Sequence, residues 1–507
     1  MKKLLRTLAM ILTLSIGVSL ISGCGKSNSN GNGNSGNGST NNNSSYDLYI
    51  YNSKGENAEK FEQMAAAYTD ETGVKLKTFS IGSGQDHMET LRSEMNSNNK
   101  PTIFTIQGVK ELAEWEQGGY VLDLNNATEE SFKSLVSEIP ESLRLTSDKS
   151  NSFGVPYGLE GYGYVVDRQM VSDLFGSGSV DSFLKDIKLA SYSEFESMVK
   201  TIDKYIKSPT AGKVTLNGKT YQLESSKKGL AKNLTGVFAV AGSESWTYGD
   251  HMVNVALDAV FDSPLAASKA TDSQLDSLRN PLIKYAQALD LKTSYVAGAN
   301  GALKRGSEFI NSTTNGYDQA VKNFADGKAM FIKQGNWVYS NISNMNSDIV
   351  NRLTIVPIKM PFVDSDIKVS GLTANKMNRS IPVFVPMYYA INSKSSEKEQ
   401  KLAQQFLVWL NTSETGKKYV IEEFGFIPYN IEDTSKITNS VNKSILEYKA
   451  AGDMIPAAYN GSPASWSSST FGLKIMEEYL VKPTWTKGDY EAIADYAIKS
   501  WKEMKNQ

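Results

Sequence analysis

Phe324-Ala-Asp-Gly-Lys-Ala-Met-Phe-Ile-Lys-Gln-Gly-Asn-Trp337 decides how this chain is read. Just before and into it, Tyr317, Ala320, Val321 and Phe324 fall at helical spacing, and Gly327 supplies the left-handed residue that closes a helix. Residues 328–333 then read as a short buried strand. Gly335 turns the chain so that Trp337 leaves the sheet at its end. A helix passed directly to an apolar strand is the unit of an α/β fold. Loops at strand ends are where open α/β sheets bind ligands.

The same grammar runs outward. Residues 46–51 alternate as a strand, with Leu48 and Ile50 on one face. Phe61, Met64, Ala65 and Tyr68 form a helical stripe that stops at Gly73, and residues 74–79 make the next strand. This is a βαβ unit with a right-handed crossover by default. Met88, Leu91 and Met95 mark a second helix, and residues 102–106 a third strand after Pro101. Ser191-Tyr-Ser-Glu194 has the spacing of a capping box opening a helix through Phe195, Met198, Val199 and Ile202. Asn217-Gly218 tolerates the positive φ of a tight hairpin, expected as a small surface insertion over residues 208–226. Residues 353–358 and 383–391 read as further strands. Leu402, Phe406, Trp409 and Leu410 share one helical face, and Tyr490, Ile493, Ala497 and Trp501 another.

Composition narrows the chemistry. A net charge of -2 gives no electrostatic footprint for nucleic acid. His87 and His251 are the two histidines and Cys24 is the one cysteine, so a His/Cys metal site is not expected, nor any cofactor. Neither histidine lies in a triad motif, there is no Walker A sequence, and Gly158, Gly161 and Gly163 do not form the dinucleotide fingerprint. The conspicuous resource is aromatic, with Tyr 25, Phe 19 and Trp 7. Flat apolar platforms with polar edges suit binding more than acid–base work. The body from Tyr46 onward is too long for one simple core and fits two lobes.

Residues 1–23 place Lys2, Lys3 and Arg6 before the apolar run 8–20, and Leu20-Ile21-Ser22-Gly23-Cys24 ends it. This resembles a bacterial lipoprotein signal, which implies cleavage before Cys24 and lipid attachment there. Residues 25–45 are almost all Ser, Asn, Gly and Thr, with nothing apolar to offset their ordering entropy, and read as a flexible tether.

A sugar offers hydroxyl groups and apolar C–H faces, so its site needs aromatic rings and charged or amide groups together. The opening stretch closely resembles the most recognisable motif of the carbohydrate-binding extracellular solute-binding proteins of ABC importers, the maltose-binding-protein-like family 1. There it runs helix, Gly-Lys-Ala-Ala-Met, apolar strand, Gly-x-Trp. Gly154-Val-Pro-Tyr-Gly-Leu-Glu-Gly-Tyr-Gly-Tyr164 resembles the family's Val-Pro and aromatic-rich strand, with Asp167-Arg168 in place of Asn-Lys. Glu244-Ser-Trp-Thr-Tyr248 is similar to an aromatic stretch led by a glutamate. Ser462-Pro-Ala-Ser-Trp466 is placed like a late cleft tryptophan, and Gln107 and Lys54 like polar ligand contacts. The resemblance therefore implies ligand binding by Trp337, Glu160, Trp466, Trp246, Tyr248, Glu244, Tyr162, Gln107 and Lys54.

It also implies a two-lobed periplasmic-binding-protein fold of type II, each lobe a mainly parallel sheet flanked by helices, with ligand between the lobes. Lobe 1 is expected over 46–160 and about 383–435, lobe 2 over 161–382 and about 436–507. Crossings are expected near 159–164, near 381–385 and between 429 and 448. The implied function is non-enzymatic: capture of an oligosaccharide, a malto-oligosaccharide as the first expectation, and delivery to an ABC permease. The protein would be a monomer held by its lipid on the outer face of a Gram-positive-type membrane. Two alternatives stay open. A surface glycoside hydrolase needs two carboxylates, for which Glu160 and Glu244 can be nominated. A surface sensor or adhesin would show no small-molecule saturation.

Overall fold

Leu48–Asn52 is buried along its whole length and runs between two parallel neighbours, Leu76–Ser80 and Ile103–Ile106. The helix Ala58–Thr72 connects the first pair, laying Phe61, Met64, Ala65 and Tyr68 on the sheet, and Gly73 ends it at φ 74°. This computed structural model describes residues 46–81, 87–431 and 433–505. The leader, Cys24 and the tether lie outside the described residues. No helix among those described is long and apolar enough to cross a membrane.

Two sheets organise the body. The first has the order Leu76–Ser80, Leu48–Asn52, Ile103–Ile106, Tyr388–Ile391, Val155–Pro156. Its last two strands meet their neighbours antiparallel. The second runs Gly301–Leu303, Val296–Gly298, Gly236–Ala239, Ala329–Gly335, Glu160–Asp167, Ile381–Phe384, Met454–Ile455, with Leu353–Val356 also on Glu160–Asp167. Ala329–Gly335 is parallel to Gly236–Ala239 and antiparallel to Glu160–Asp167. Helices flank both sheets, giving an α/β fold of two lobes.

The passages between sheets are short. The chain leaves the first sheet at Pro156 and enters the second at Glu160. Leu159 is pinned midway by a bridge to Ile427. The return corrects the expectation of one strand over 383–391. Ile381–Phe384 pairs with Glu160–Asp167 in the second sheet, and Tyr388–Ile391 pairs in the first. Pro386 stands between them and has no N–H for a ladder, so one apolar run serves two sheets.

Local signals held where their partners are close in sequence. Ser191 accepts from the Glu194 N–H while Glu194 caps the Ser191 N–H, opening Tyr192–Lys207. Asn217 and Gly218 take φ 50° and 73° between the hairpin strands Lys213–Leu216 and Lys219–Gln222. That hairpin is less superficial than expected. Val214, Leu216 and Tyr221 are buried in the same core as Phe195, Met198 and Ile202. Alternation along Glu160–Asp167 sends Tyr162, Tyr164 and Val166 into one hydrophobic core and Val165 into the other.

Candidate functional site

Six rings from five separate segments converge beside the 157–160 passage. Tyr162 projects from Glu160–Asp167 and Phe384 ends its partner strand. Trp246 and His251 open two successive short helices, Trp246–Gly249 and His251–Leu257. Tyr459 lies in the turn Ala458–Gly461. Trp337 follows Ala329–Gly335 at the start of Val338–Met345. A Cβ on Gly335 would stand 2.2 Å from the Trp337 ring and 2.6 Å from the Gly161 carbonyl oxygen, so glycine is what lets the indole fold back over the sheet.

The His251 ring is the hub. It stacks on Tyr162 with centroids 4.5 Å apart, and lies 5.0 Å from Trp337, 5.2 Å edge-on from Trp246 and 5.8 Å from Tyr459. Phe384 closes the cluster against Tyr162 and Tyr459 at 6.0 and 6.2 Å. Such tilted and offset pairs suit the quadrupoles of the rings. The Tyr162 hydroxyl donates to the His251 carbonyl oxygen at 2.9 Å, the Trp337 indole to Gln334 Oε1 at 2.7 Å, and the Trp246 indole to Glu244 Oε2 at 3.1 Å.

Charges sit at the edges of these rings. Lys54 Nζ pairs with Glu160 Oε1 at 2.6 Å, both side chains buried, joining the turn after the first strand to the start of the second sheet. His87 Nε2 lies 3.0 Å from Glu111 Oε2. Lys333 Nζ reaches His251 Nδ1 at 3.0 Å and lies over the Trp246 and Tyr162 rings. Burial, reinforced by Lys333, holds the His251 pKa well below the ordinary histidine range, so Nδ1 is an acceptor for the lysine. Lys110, from the helix Val109–Gln117 beside the first sheet, lies 5.5 Å from the Tyr459 ring centre. Buried Asp250 Oδ1 and His87 Nδ1 have no hydrogen-bond partner among the described residues.

Trp337, Trp246, Tyr162, Glu244, Lys54 and Glu160 thus line one region. Gln107 is half-buried at the end of Ile103–Ile106, and its backbone N–H donates to Glu111 Oε2. Two expectations are corrected. Trp466 is 0% exposed: its ring stacks on Phe471 at 5.3 Å and its indole donates to the Ala497 carbonyl and Ser500 Oγ. The C-terminal helix Lys487–Met504 covers it, which a Ser-rich loop sequence does not reveal. Tyr248 is likewise core, two residues past Trp246 and so on the opposite, buried side of the short helix, with its hydroxyl donating to the Gly242 carbonyl. His251, Lys333, Phe384 and Tyr459 were missed. Lys333 had a signal, a charged residue inside an apolar strand, as did His251, one of two histidines.

Phe384 also borders a cavity of about 550 Å³. Gly108 and Val109 face it from one side, Pro456, Ala457 and Asn460 from the other, and Val385 and Tyr388 lie along the return passage. The cavity lies beside the ring cluster and shares Phe384 with it, while Tyr162, Trp246, Trp337 and the Lys54–Glu160 pair lie outside its lining. Rings and paired charges of this kind can hold a small polar molecule with flat apolar faces.

Known proteins agree with this architecture. The chitin oligosaccharide binding protein superposes with a TM-score of 0.59 at 16% identity, covering 90% of this chain and 99% of that one. RafE, solved with raffinose, gives 0.58 at 14% identity over 90% and 99%. A Streptococcus pneumoniae solute-binding protein solved with the blood group A-trisaccharide gives 0.57 at 16% over 89% and 99%. No curated protein matches the chain by sequence. The family model for the bacterial extracellular solute-binding protein matches residues 63–440, most of the folded body, and the chain belongs to that family.

Proposed function

We propose that this protein binds an oligosaccharide outside the membrane and delivers it to the permease of an ABC importer. The observation that carries this reading is the cage of Tyr162, Trp246, Trp337 and Tyr459 beside the Lys54–Glu160 ion pair, where ring faces and charged hydrogen-bonding groups meet between the lobes. The chitin oligosaccharide, raffinose and blood group A-trisaccharide of the structural relatives support the same class of ligand. Contacts to both lobes would stabilise the closed form, and that differential contact is what shifts an open–closed equilibrium. The lobes divide at the 157–160 and 385–387 passages, with a third crossing between 429 and 448. The protein acts as a monomer, tethered through lipidated Cys24 to the outer face of a Gram-positive-type membrane.

The test is a titration of the full chain in mild detergent with neutral saccharides, malto-oligosaccharides first, followed by tryptophan fluorescence and thermal unfolding. A ligand at about 100 times its Kd stabilises by roughly 2.7 kcal/mol. Saturation without turnover is expected, and hydrolysis of a bound sugar would instead establish the glycosidase. If no saccharide, neutral or acidic, saturates the protein, the reading is wrong.

A further inference from the structure

The wall of the cage on the second-lobe side holds more buried lysine amino groups than carboxylates to match them. Lys333 is 3% and Lys292 2% exposed. Among the described residues Lys333 Nζ hydrogen-bonds to the His251 ring alone, and Lys292 Nζ has neither a hydrogen bond nor an ion pair. Lys292, from the helix Arg279–Ser294, is near enough to Lys333 for its charge to act on it. The carboxylate that acts on Lys333 is Asp250, and its Oδ1 is itself without a partner. Glu244 is partly exposed and occupied by the Trp246 indole and Ser243. From the first lobe, Lys54 is matched by Glu160, and Lys110 adds a further ammonium over Tyr459.

An unmatched buried ammonium is costly, and a protein that keeps one commonly supplies its counter-ion from outside or holds the group neutral. With both ammoniums protonated, two lysines against one aspartate would carry a single excess positive charge. We propose that the cage is built for an acidic saccharide, and that Lys333 and Lys292 receive the carboxylate of a uronic acid residue whose ring face lies on Trp337 or Trp246. This rests on the oligosaccharide-binding reading above and names the class of sugar. A uronate fits the components: a pyranose face for the indole, hydroxyl groups for Glu160 and Glu244, and one negative charge for the lysines. A doubly charged phosphate would leave Asp250 facing excess negative charge.

Burial lowers the pKa of both ammoniums, of Lys292 to about 7, and Lys292 depresses Lys333 further. A carboxylate arriving beside them restores their protons. Binding an acidic sugar at pH 8 therefore takes up protons from buffer. His251 contacts Lys333 and Asp250 acts on it, while Lys54 and Lys110 act on His251.

The experiment is calorimetric titration of the full chain with matched pairs. Each pair is an oligogalacturonate, an oligomannuronate, a hyaluronan fragment or a glucuronoxylan fragment, set against the same compound with its carboxyl reduced to an alcohol. In pairs that bind, the acid should be at least about tenfold tighter, the worth of one charge-assisted hydrogen bond. It should take up protons in buffers of different ionisation enthalpy, and the alcohol should not. Lys333→Met should erase the difference between acid and alcohol, and Lys292→Met, checked for folding, should reduce it. Equal or tighter binding of the alcohols overturns the proposal and leaves sugar binding intact, as does a protein that binds neutral sugars and no member of these pairs. A protein that binds no saccharide at all removes both readings.

Discussion

Trp337 and Trp466 enter the sequence on similar terms, each in a loop between a small-residue turn and a helix, and the fold gives them opposite surroundings. Trp337 is partly exposed, with its ring set among His251, Tyr162 and Trp246 and its indole on Gln334. Trp466 is wholly enclosed between Phe471 and Trp501 under the C-terminal helix. The difference lies in what covers them. Trp337 stays partly exposed, and the proposed ligand would be its missing cover. Trp466 is covered by helix Lys487–Met504, more than twenty residues further along the chain. A loop tryptophan is therefore a ligand platform only where no other part of the chain reaches it.

The sharpest way to break this contrast is Trp466→Ala, which should cost about 3–5 kcal/mol of stability in denaturant unfolding and leave the sugar affinity of the folded fraction unchanged. Lys54→Met should come next, at about 3 kcal/mol, because it leaves the buried Glu160 carboxylate without its ammonium; here affinity should fall as well. Trp337→Ala should do the reverse of Trp466→Ala. Affinity by tryptophan-independent calorimetry should drop about tenfold, near 1.4 kcal/mol, with a smaller change in midpoint. Tyr248→Phe removes one buried hydrogen bond to Gly242 and should cost about 1 kcal/mol with binding intact, which separates it from its neighbour Trp246.

The most gradual effect is with pH. Lys292 and Lys359 are both pulled by burial from 10.5 to about 7. Between pH 7 and 10.5 the unfolded chain holds these protons and the folded chain has released them. Unfolding then binds protons, so these two groups make stability rise with pH through that window; below pH 7 their full cost is present. Lys292→Met should flatten the slope measured by unfolding at pH 7, 8 and 9. An unchanged slope would place the titration elsewhere than under the cage.

How much of this was legible depends on how far apart the interacting residues are. The helix ending at Gly327, the strand after it, the Ser191–Glu194 capping box and the Asn217-Gly218 turn depend on neighbours within a few residues, and all were readable. The 383–391 run was not, since both halves are apolar and only their pairing with Glu160–Asp167 or Ile103–Ile106 separates them. In the candidate site, Trp337, Glu160 and Tyr162 could be nominated because each lies in a motif with a positional meaning. His251, Lys333 and Tyr459 belong to three distant segments and become a site only when those segments meet.

The sequence by itself determined the alternation of strand and helix, the aromatic supply and the family motif around Trp337, because hydrophobic periodicity and turn chemistry are local properties of the chain. The tertiary structure alone decided which tryptophan stays partly open and which is closed in the core, and it set Lys333 against His251 and Lys54 against Glu160. Burial and charge pairing are properties of the space between segments, and that space exists only after the chain has closed on itself.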